Sequence, residues 1–202
     1  MAEPRVPVGR AAGPADLDAI STCLASAFFE DPLWGHSTFP DEDGRAERLS
    51  RLLGFWAAAA IPHSWVRITD AAEAVAVWIP PGKPEMTSAE EERFAVLLGE
   101  LLGPRASEIG ALLETFEAHH PPEPSYYLSL WGVHRDHAGR GLGTALLRDC
   151  LARIDEEGEP AYLESTNPVN VPRYEALGFE RRGAFGCEGG PVVTTMWRAP
   201  RA

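Results

Sequence analysis

The sequence predicts an α/β (α+β) fold, a mixed sheet covered by helices, and two patterns predict it. In the C-terminal half, short apolar runs alternate with helical periodicity, which argues for βαβ connections and some parallel pairing. In the N-terminal half, Ser64–Thr69 and Ala74–Ile79 are apolar runs joined by the turn-like Asp70–Glu73, which reads as an antiparallel hairpin. With 202 residues and 22.0 kDa, residues 1–202 are expected to form a single domain with one sizeable core.

The elements follow in order. A short strand is expected near Arg5–Arg10. Asp16–Phe29 has Leu17, Ile20, Leu24 and Phe28 at helical spacing and is stopped by Pro32 and its neighbours. A second helix is expected over about Arg45–Ala60, ahead of the hairpin. Pro80, Pro81, Gly82 and Pro84 then break the pattern, and Ser88–Gly99 restarts as a helix whose Ser88/Glu91 pair has capping-box spacing. A further helix is expected over Arg105–His119, then a strand over Tyr126–Val133. A Gly-rich turn leads to a helix over Leu142–Glu157, a strand over Ala161–Ser165 and a short helix near Val169–Leu177. Strands around Phe179–Phe185 and Val192–Arg198 close the chain.

Composition narrows the function classes. The net charge of −12 repels phosphate backbones and anionic surfaces, so no nucleic-acid partner is expected. No apolar run approaches the about 18 residues a membrane span needs, and the first residues lack the apolar core of a signal peptide, so no membrane association is expected. Cys23, Cys150 and Cys187 are odd in number and lack CxxC spacing, which suggests neither disulfides nor a zinc site. A cytoplasmic location fits best. The six histidines form no credible metal set: His134 and His137 are three apart but in a loop, and no metal is expected. Ser129 and Ser165 lack the GxSxG elbow of a hydrolase.

The most informative segment is the apolar Tyr126–Val133 followed by His134-Arg-Asp-His-Ala-Gly-Arg-Gly-Leu-Gly-Thr144. Gly139, Gly141 and Gly143 allow a tight turn whose N–H groups converge at a helix N-terminus, as a pyrophosphate requires. The helix behind it has one apolar face, formed by Leu142, Leu146, Leu147, Cys150, Leu151 and Ile154, so the turn is anchored. Arg135 and Arg140 place positive charge there in an otherwise acidic chain. Walker A is excluded because Thr144 follows Gly143 without an intervening lysine, and the glycines fall GxGxG rather than GxGxxG. A tight turn without a ligand is the plainer alternative.

This strand, turn and helix resemble the CoA-binding motif of the GNAT acetyltransferase superfamily, Arg/Gln-x-x-Gly-x-Gly/Ala. Gly141 and Gly143 match its two small positions. The family's Arg or Gln falls at Ala138, which leaves phosphate contacts to backbone amides and Arg140. A second block, Pro160-Ala-Tyr-Leu-Glu-Ser-Thr-Asn167 and onward, matches the family's Asn, then Tyr seven positions later, then Gly-Phe, at Asn167, Tyr174, Gly178 and Phe179. More closely, AVAVWIPP, PSYYL, PAYLES, NVPRYEALGF and GPVVTTMW fall in an order similar to that of the puromycin N-acetyltransferases and related actinobacterial enzymes. The similarity weakens in the first sixty residues and over Glu85–His119, where a substrate pocket would differ.

The resemblance implies a mostly antiparallel twisted sheet, splayed in the middle, and acetyl-CoA as co-substrate with no metal. It implies cofactor contacts from Trp131, Val133, Ala138, Gly139, Arg140, Gly141, Leu142, Gly143, Thr144, Asn167 and Asn170. The expected reaction is transfer of acetyl to the amine of a small molecule, an antibiotic or metabolite. Tyr174 matches the family's general acid: a phenol with pKa near 10 protonates a thiolate whose acid is near 8.5 only with help from the site. An oxyanion donor is expected from the backbone near Leu130–Val133, where Gly132 permits a bulge or, equally, faces a bulky neighbour.

Glu164 is the first choice of base, because it lies at the end of an apolar strand, where burial would raise its pKa toward neutrality. A carboxylate paired with Arg135 or Arg173, or one that holds a cationic amine, fits the same position. For the acceptor pocket, Phe29, Asp31 and Trp34 are expected to meet the substrate together with Ser129, the aromatics stacking on it and Asp31 attracting its ammonium. A solvated acidic turn with core aromatics is the alternative. His119 and His120 line the cleft or lie at the surface. Transfer to a hydroxyl or a protein amino terminus, and a non-catalytic CoA sensor, share the cofactor features. A monomer or homodimer fits equally.

Overall fold

A computed structural model describes residues 9–187 and 190–201. The elements are β1 (Arg10–Ala11), α1 (Leu17–Phe28), α2 (Arg45–Ala60), β2 (Val66–Ile68), β3 (Ala74–Ile79), α3 (Ser88–Leu102), α4 (Ala106–His119), β4 (Tyr126–Val133), α5 (Leu142–Glu156), β5 (Ala161–Ser165), α6 (Val171–Glu175), β6 (Glu180–Gly186) and β7 (Val192–Arg198). The strands form a seven-stranded sheet in the order β1-β2-β3-β4-β5-β7-β6. Every neighbouring pair is antiparallel except β4 and β5. The first strand is confined to Arg10–Ala11, and the rest of the stretch expected near Arg5–Arg10, up to Val8, lies outside the described residues.

Helices cover both faces, and β3 shows why its sequence is apolar throughout. Val75, Val77 and Ile79 pack into the core shared with α1, α2, α3 and α4, while Ala74, Ala76 and Trp78 pack into the core under α5 and α6. A strand buried on both sides needs a continuous apolar run. On α5, Leu146, Leu147, Cys150, Leu151 and Ile154 are buried, as the helical spacing predicts.

Three local expectations are corrected. The capping box of α3 uses Thr87 and Glu90: the Thr87 side chain accepts from Glu90 N, and Glu90 Oε2 accepts from Thr87 N at 2.8 Å. Thr87 is extended (φ −75°, ψ 159°) as the chain leaves the proline-rich loop, so Ser88 is already the first helical residue.

The second concerns Gly132, for which the bulge is corrected and the close neighbour is what the structure shows. The irregularity in β4 falls at Ser129, because Val77 pairs with Leu130 and Trp78 with Leu128. Gly132 instead admits a helix: a Cβ there would stand 2.6 Å from the Ala27 Cβ, so α1 can approach β4 only over a glycine.

The third concerns partners for Glu164. Arg173 donates to Asn170 Oδ1 at 3.1 Å, and Arg135 Nε donates to Ser26 Oγ at 3.3 Å with its guanidinium over the Phe29 ring. The basic side chain beside Glu164 is instead His120, with Nε2 3.1 Å from Oε1.

Candidate active site

The sheet opens in its middle. β4 and β5 pair in parallel from Tyr126/Ala161 to Leu128/Leu163 and then part. β5 runs on against β7, with Glu164 opposite Thr195 and Ser165 opposite Thr194, while β4 is turned aside by the bulge at Ser129. A parallel pair that loses its ladder exposes backbone groups and side chains from two strand ends at one place. Ser129 and Glu164 flank that opening.

The Gly-rich turn lies beside it. Gly139 and Gly141 both have φ of +78°, and a Cβ on either would meet nothing within 4 Å, so the turn presents open backbone. The helical ladder of α5 starts with Ala145 N donating to Gly141 O, which leaves the amides of Leu142, Gly143 and Thr144 without intrahelical acceptors. Gly143 has a different reason to be glycine. Its Cβ would fall 2.6 Å from Val133 Cγ2 and 3.0 Å from Trp131 Cζ2, so the first turn of α5 lies directly on β4. Converging amides at the positive end of a helix dipole, on open space, suit a diphosphate. Arg140 stands at this turn, 3.3 Å from His137 Nδ1.

The opening leads into a cavity of about 920 Å³. Leu130 belongs to the core under α1 to α4, whereas Tyr174 belongs to that under α5 and α6; both line this cavity, so it passes through the sheet. Its lining is aromatic and acidic. Trp34, Trp56, Phe94, Phe116 and Tyr127 contribute rings, and Glu30, Asp31, Glu85, Glu91, Glu114, Glu117 and Glu164 contribute carboxyls. The described residues that line it include neither Lys nor Arg.

Glu85, His120 and Glu164 form its most polar part. Glu85 accepts a short hydrogen bond from the Ser129 hydroxyl at the bulge. Burial, helped by the nearby Glu164 charge and opposed by the Ser129 bond and His120, pushes the Glu85 carboxyl up to about 7. Glu164 Oε1 and His120 Nε2 are 3.1 Å apart but not aligned as a hydrogen bond, so both Glu164 oxygens and His120 Nε2 are buried without a hydrogen-bond partner. Buried polar atoms of this kind are costly unless something else meets them. Tyr127 and Tyr162 close over the imidazole at 4.5 and 5.5 Å.

Tyr174 lines the cavity from the other side, and its local sequence explains its placement. Gly178, at φ +91°, ends the short helix in the left-handed region, and Phe179 N donates back to Tyr174 O at 3.1 Å. The buried Phe179 ring then packs against Tyr174 at 6.1 Å, with Trp131 on another side at 5.4 Å. Burial, with Asp31 nearby, pushes the Tyr174 hydroxyl well above the ordinary phenol range, so it holds its proton.

Asp31 caps Pro32–Ser37, a short π-type helix, by accepting from Leu33 N and Trp34 N at 2.9 and 3.0 Å, and its other oxygen accepts from Thr166 Oγ1 at 2.9 Å. Burial outweighs these bonds and raises its pKa. Asn167 Oδ1 accepts from Val169 N at 3.1 Å and so caps the turn that carries Asn170.

The cavity thus brings together Asp31, Trp34, Ser129, Trp131, Glu164, Asn167, Asn170 and Tyr174. Val133 and the stretch 138–144 lie at the turn outside its lining. Phe29 also lies outside; it is flanked by the guanidinium groups of Arg45 and Arg135, and Phe28 lines the cavity instead. Glu85 and His120 are the members sequence reasoning missed or set aside. The signal for Glu85 was one carboxylate in a proline-rich loop; for His120 it was a position before Pro121, which holds the residue extended at the end of α4.

Comparison with known proteins adds the family. The sequence profile of the Acetyltransferase (GNAT) family matches residues 72–179, which include β3, β4, the Gly-rich turn, α5, β5 and α6. Among solved structures, a Corynebacterium glutamicum protein described as histone acetyltransferase HPA2 and related acetyltransferase is 24% identical, with a TM-score of 0.68 and 97% of each chain covered. An agmatine N-acetyltransferase is 18% identical, with a TM-score of 0.64 over 95% of this chain and 98% of that one. A Drosophila melanogaster polyamine N-acetyltransferase is 16% identical, with a TM-score of 0.62 over 95% of this chain and 99% of that one.

Proposed function

The chain belongs to the GNAT acetyltransferase family, and from that premise we propose that it transfers acetyl from acetyl-CoA to the amine of a small cationic molecule with an aromatic or apolar body. The chain is an acyltransferase and its family uses acetyl-CoA; the acceptor is the new part of the reading. The observation that carries it is the cavity lining, with seven carboxyl side chains beside aromatic walls and no lining Lys or Arg among the described residues. Such a wall attracts an ammonium and stacks on a ring. An antibiotic or metabolite amine of the puromycin kind has both features. The agmatine and polyamine enzymes of similar fold also act on amines.

The residues divide the work as follows. The amides of Gly139–Thr144, with Arg140, hold the cofactor diphosphate, and Trp131, Val133, Asn167 and Asn170 border its path into the opening. Acetyl-CoA supplies an activated acyl group on sulfur. Glu164, with two unpartnered oxygens, receives the acceptor ammonium and takes its proton. Tyr174 holds a proton for the departing sulfur. Backbone freed from the ladder beside Ser129 supplies the donor to the carbonyl oxygen, one strand turn earlier than Gly132. Asp31 shapes the acceptor wall by fixing Trp34. The seven strands among the described residues share one sheet, which supports reading residues 1–202 as one domain. No helix among the described residues is long and apolar enough to cross a membrane.

The test is thiol release from acetyl-CoA with a panel containing puromycin, a diamine, an arylalkylamine and the alcohol analogue of each. Release with the amines and none with the alcohols is expected. Release with the alcohols only, or cofactor binding without turnover on any amine, overturns the reading.

A further inference from the structure

His120 lies between a buried carboxylate and an exposed one. It follows α4, held extended (φ −60°, ψ 138°) ahead of Pro121, with its N–H donating to Glu117 O at 3.1 Å. Its Nε2 is 3.1 Å from Glu164 Oε1, and its Nδ1 is 3.7 Å from Glu117 Oε2. The Glu164 side chain is 1% exposed and that of Glu117 83%. Both carboxyls line the cavity, and the imidazole lies between its buried end at Glu164 and its exposed end at Glu117. Among side chains, only imidazole accepts a proton on one nitrogen and releases one from another near neutral pH.

The groups that face it come from every packed element: Glu164 from β5, Glu117 from α4, Glu85 from the loop after β3, and the Tyr127 and Tyr162 phenols. Burial works against the charged ring, but the three carboxylates outweigh it and raise the pKa from 6.5.

We propose that His120 is a relay and positioning residue that carries the acceptor amine's proton from Glu164 to Glu117 and so to solvent. This rests on the reading that Glu164 meets the acceptor ammonium. The protons balance. As the C–N bond forms and the C–S bond breaks, the nitrogen gives up two protons; one ends on sulfur by way of Tyr174, and the other leaves through Glu164, His120 and Glu117. Below the raised His120 pKa the ring is already charged and the exit is blocked.

The test compares wild type, His120→Gln and Glu117→Gln over amines of graded basicity, with pH profiles. His120→Gln should lower kcat about 100-fold for strongly basic alkylamines, with little change in KM, and added imidazole should restore part of the rate. Weakly basic arylamines, which bind uncharged, should stay near the wild-type rate. Glu117→Gln, at an exposed position with no packing to lose, should slow the same basic amines. Wild-type rates in either variant, or an equal loss across the series without imidazole rescue, overturn the proposal. Failure of the acetyltransferase reading looks different, because wild type would then acetylate no amine in the panel.

Discussion

Gly143 and Trp131 are in direct apposition: a Cβ on the glycine would come 3.0 Å from Trp131 Cζ2. The first turn of α5 is therefore set by the strand that also borders the opening, which fixes the cofactor turn relative to the cavity. Gly143→Ala should push the helix N-terminus off β4, at a cost of about 1–3 kcal/mol in stability. CoA affinity should fall by about tenfold as the amides lose register. Gly139→Ala meets open space and has only its positive φ to contend with, about 1–2 kcal/mol. Calorimetry with CoA and thermal melts of both variants check this, and equal effects on affinity would contradict it.

Tyr174→Phe should lower kcat by about 10²–10⁴-fold, the range for loss of a general acid, while CoA affinity stays within about threefold of wild type. Burial and Asp31 raise the pKa of its hydroxyl, the reverse of the help from the site that transfer to a thiolate needs; the acid form persists, and the driving force has to come from the charge that develops on sulfur. Single-turnover rates and equilibrium binding separate the two quantities.

Glu85 makes stability depend on pH in a definite direction. Its carboxyl pKa is raised from 4.5 to about 7 by burial, so the folded state holds a proton that the unfolded state releases. That contribution is fully present below pH 4.5 and is lost as pH rises through about 7. Glu85→Gln, which can still accept from Ser129, should remove this decline and be more stable than wild type at pH 8. Urea titrations at pH 5 and pH 8 measure it, and an unchanged wild-type slope in the variant would contradict it.

Arg198 and Asp155 work the opposite way. Arg198 is buried and bidentate to Asp155 at 2.6 and 2.7 Å, with its Nε donating to Leu177 O behind Tyr174. The hydrogen bond from Arg198 holds the Asp155 carboxyl below its ordinary 3.8. The stabilisation is present above the unfolded-state pKa of about 3.9 and is lost as pH falls through the lower folded value. Asp155→Ala leaves the guanidinium buried and unpaired and should cost about 3–5 kcal/mol at pH 7, with a smaller deficit under acid. Denaturant midpoints at pH 7 and pH 3 report it.

What the sequence made legible was local. The apolar face of α5 and the hairpin of β2 and β3 follow from spacing within a few residues, and the Tyr174–Gly178–Phe179 unit was visible through its resemblance to the family motif. What it hid depends on distant partners. Gly132 and Gly143 look alike in sequence, and only the approach of Ala27 to one and of Val133 and Trp131 to the other gives each its reason. The bulge falls at Ser129 because of the register with β3, a pairing between segments about fifty residues apart. Glu85 and His120 reach Glu164 from two loops whose sequences carry no periodicity. For Asp31 the sequence leaves a substrate-facing carboxylate and a solvated acidic turn side by side, and only its cap on Pro32–Ser37 and the bond from Thr166 show it buried.

The central claim is that the amides of Gly139–Thr144 hold the diphosphate of CoA, and titration calorimetry on the folded protein tests it most directly. The account predicts a saturable heat with one site per chain, a dissociation constant of about 1–100 μM, and a shift to weaker binding in Gly143→Ala. No heat at millimolar CoA, or the same affinity in the Gly143 variant, would contradict it.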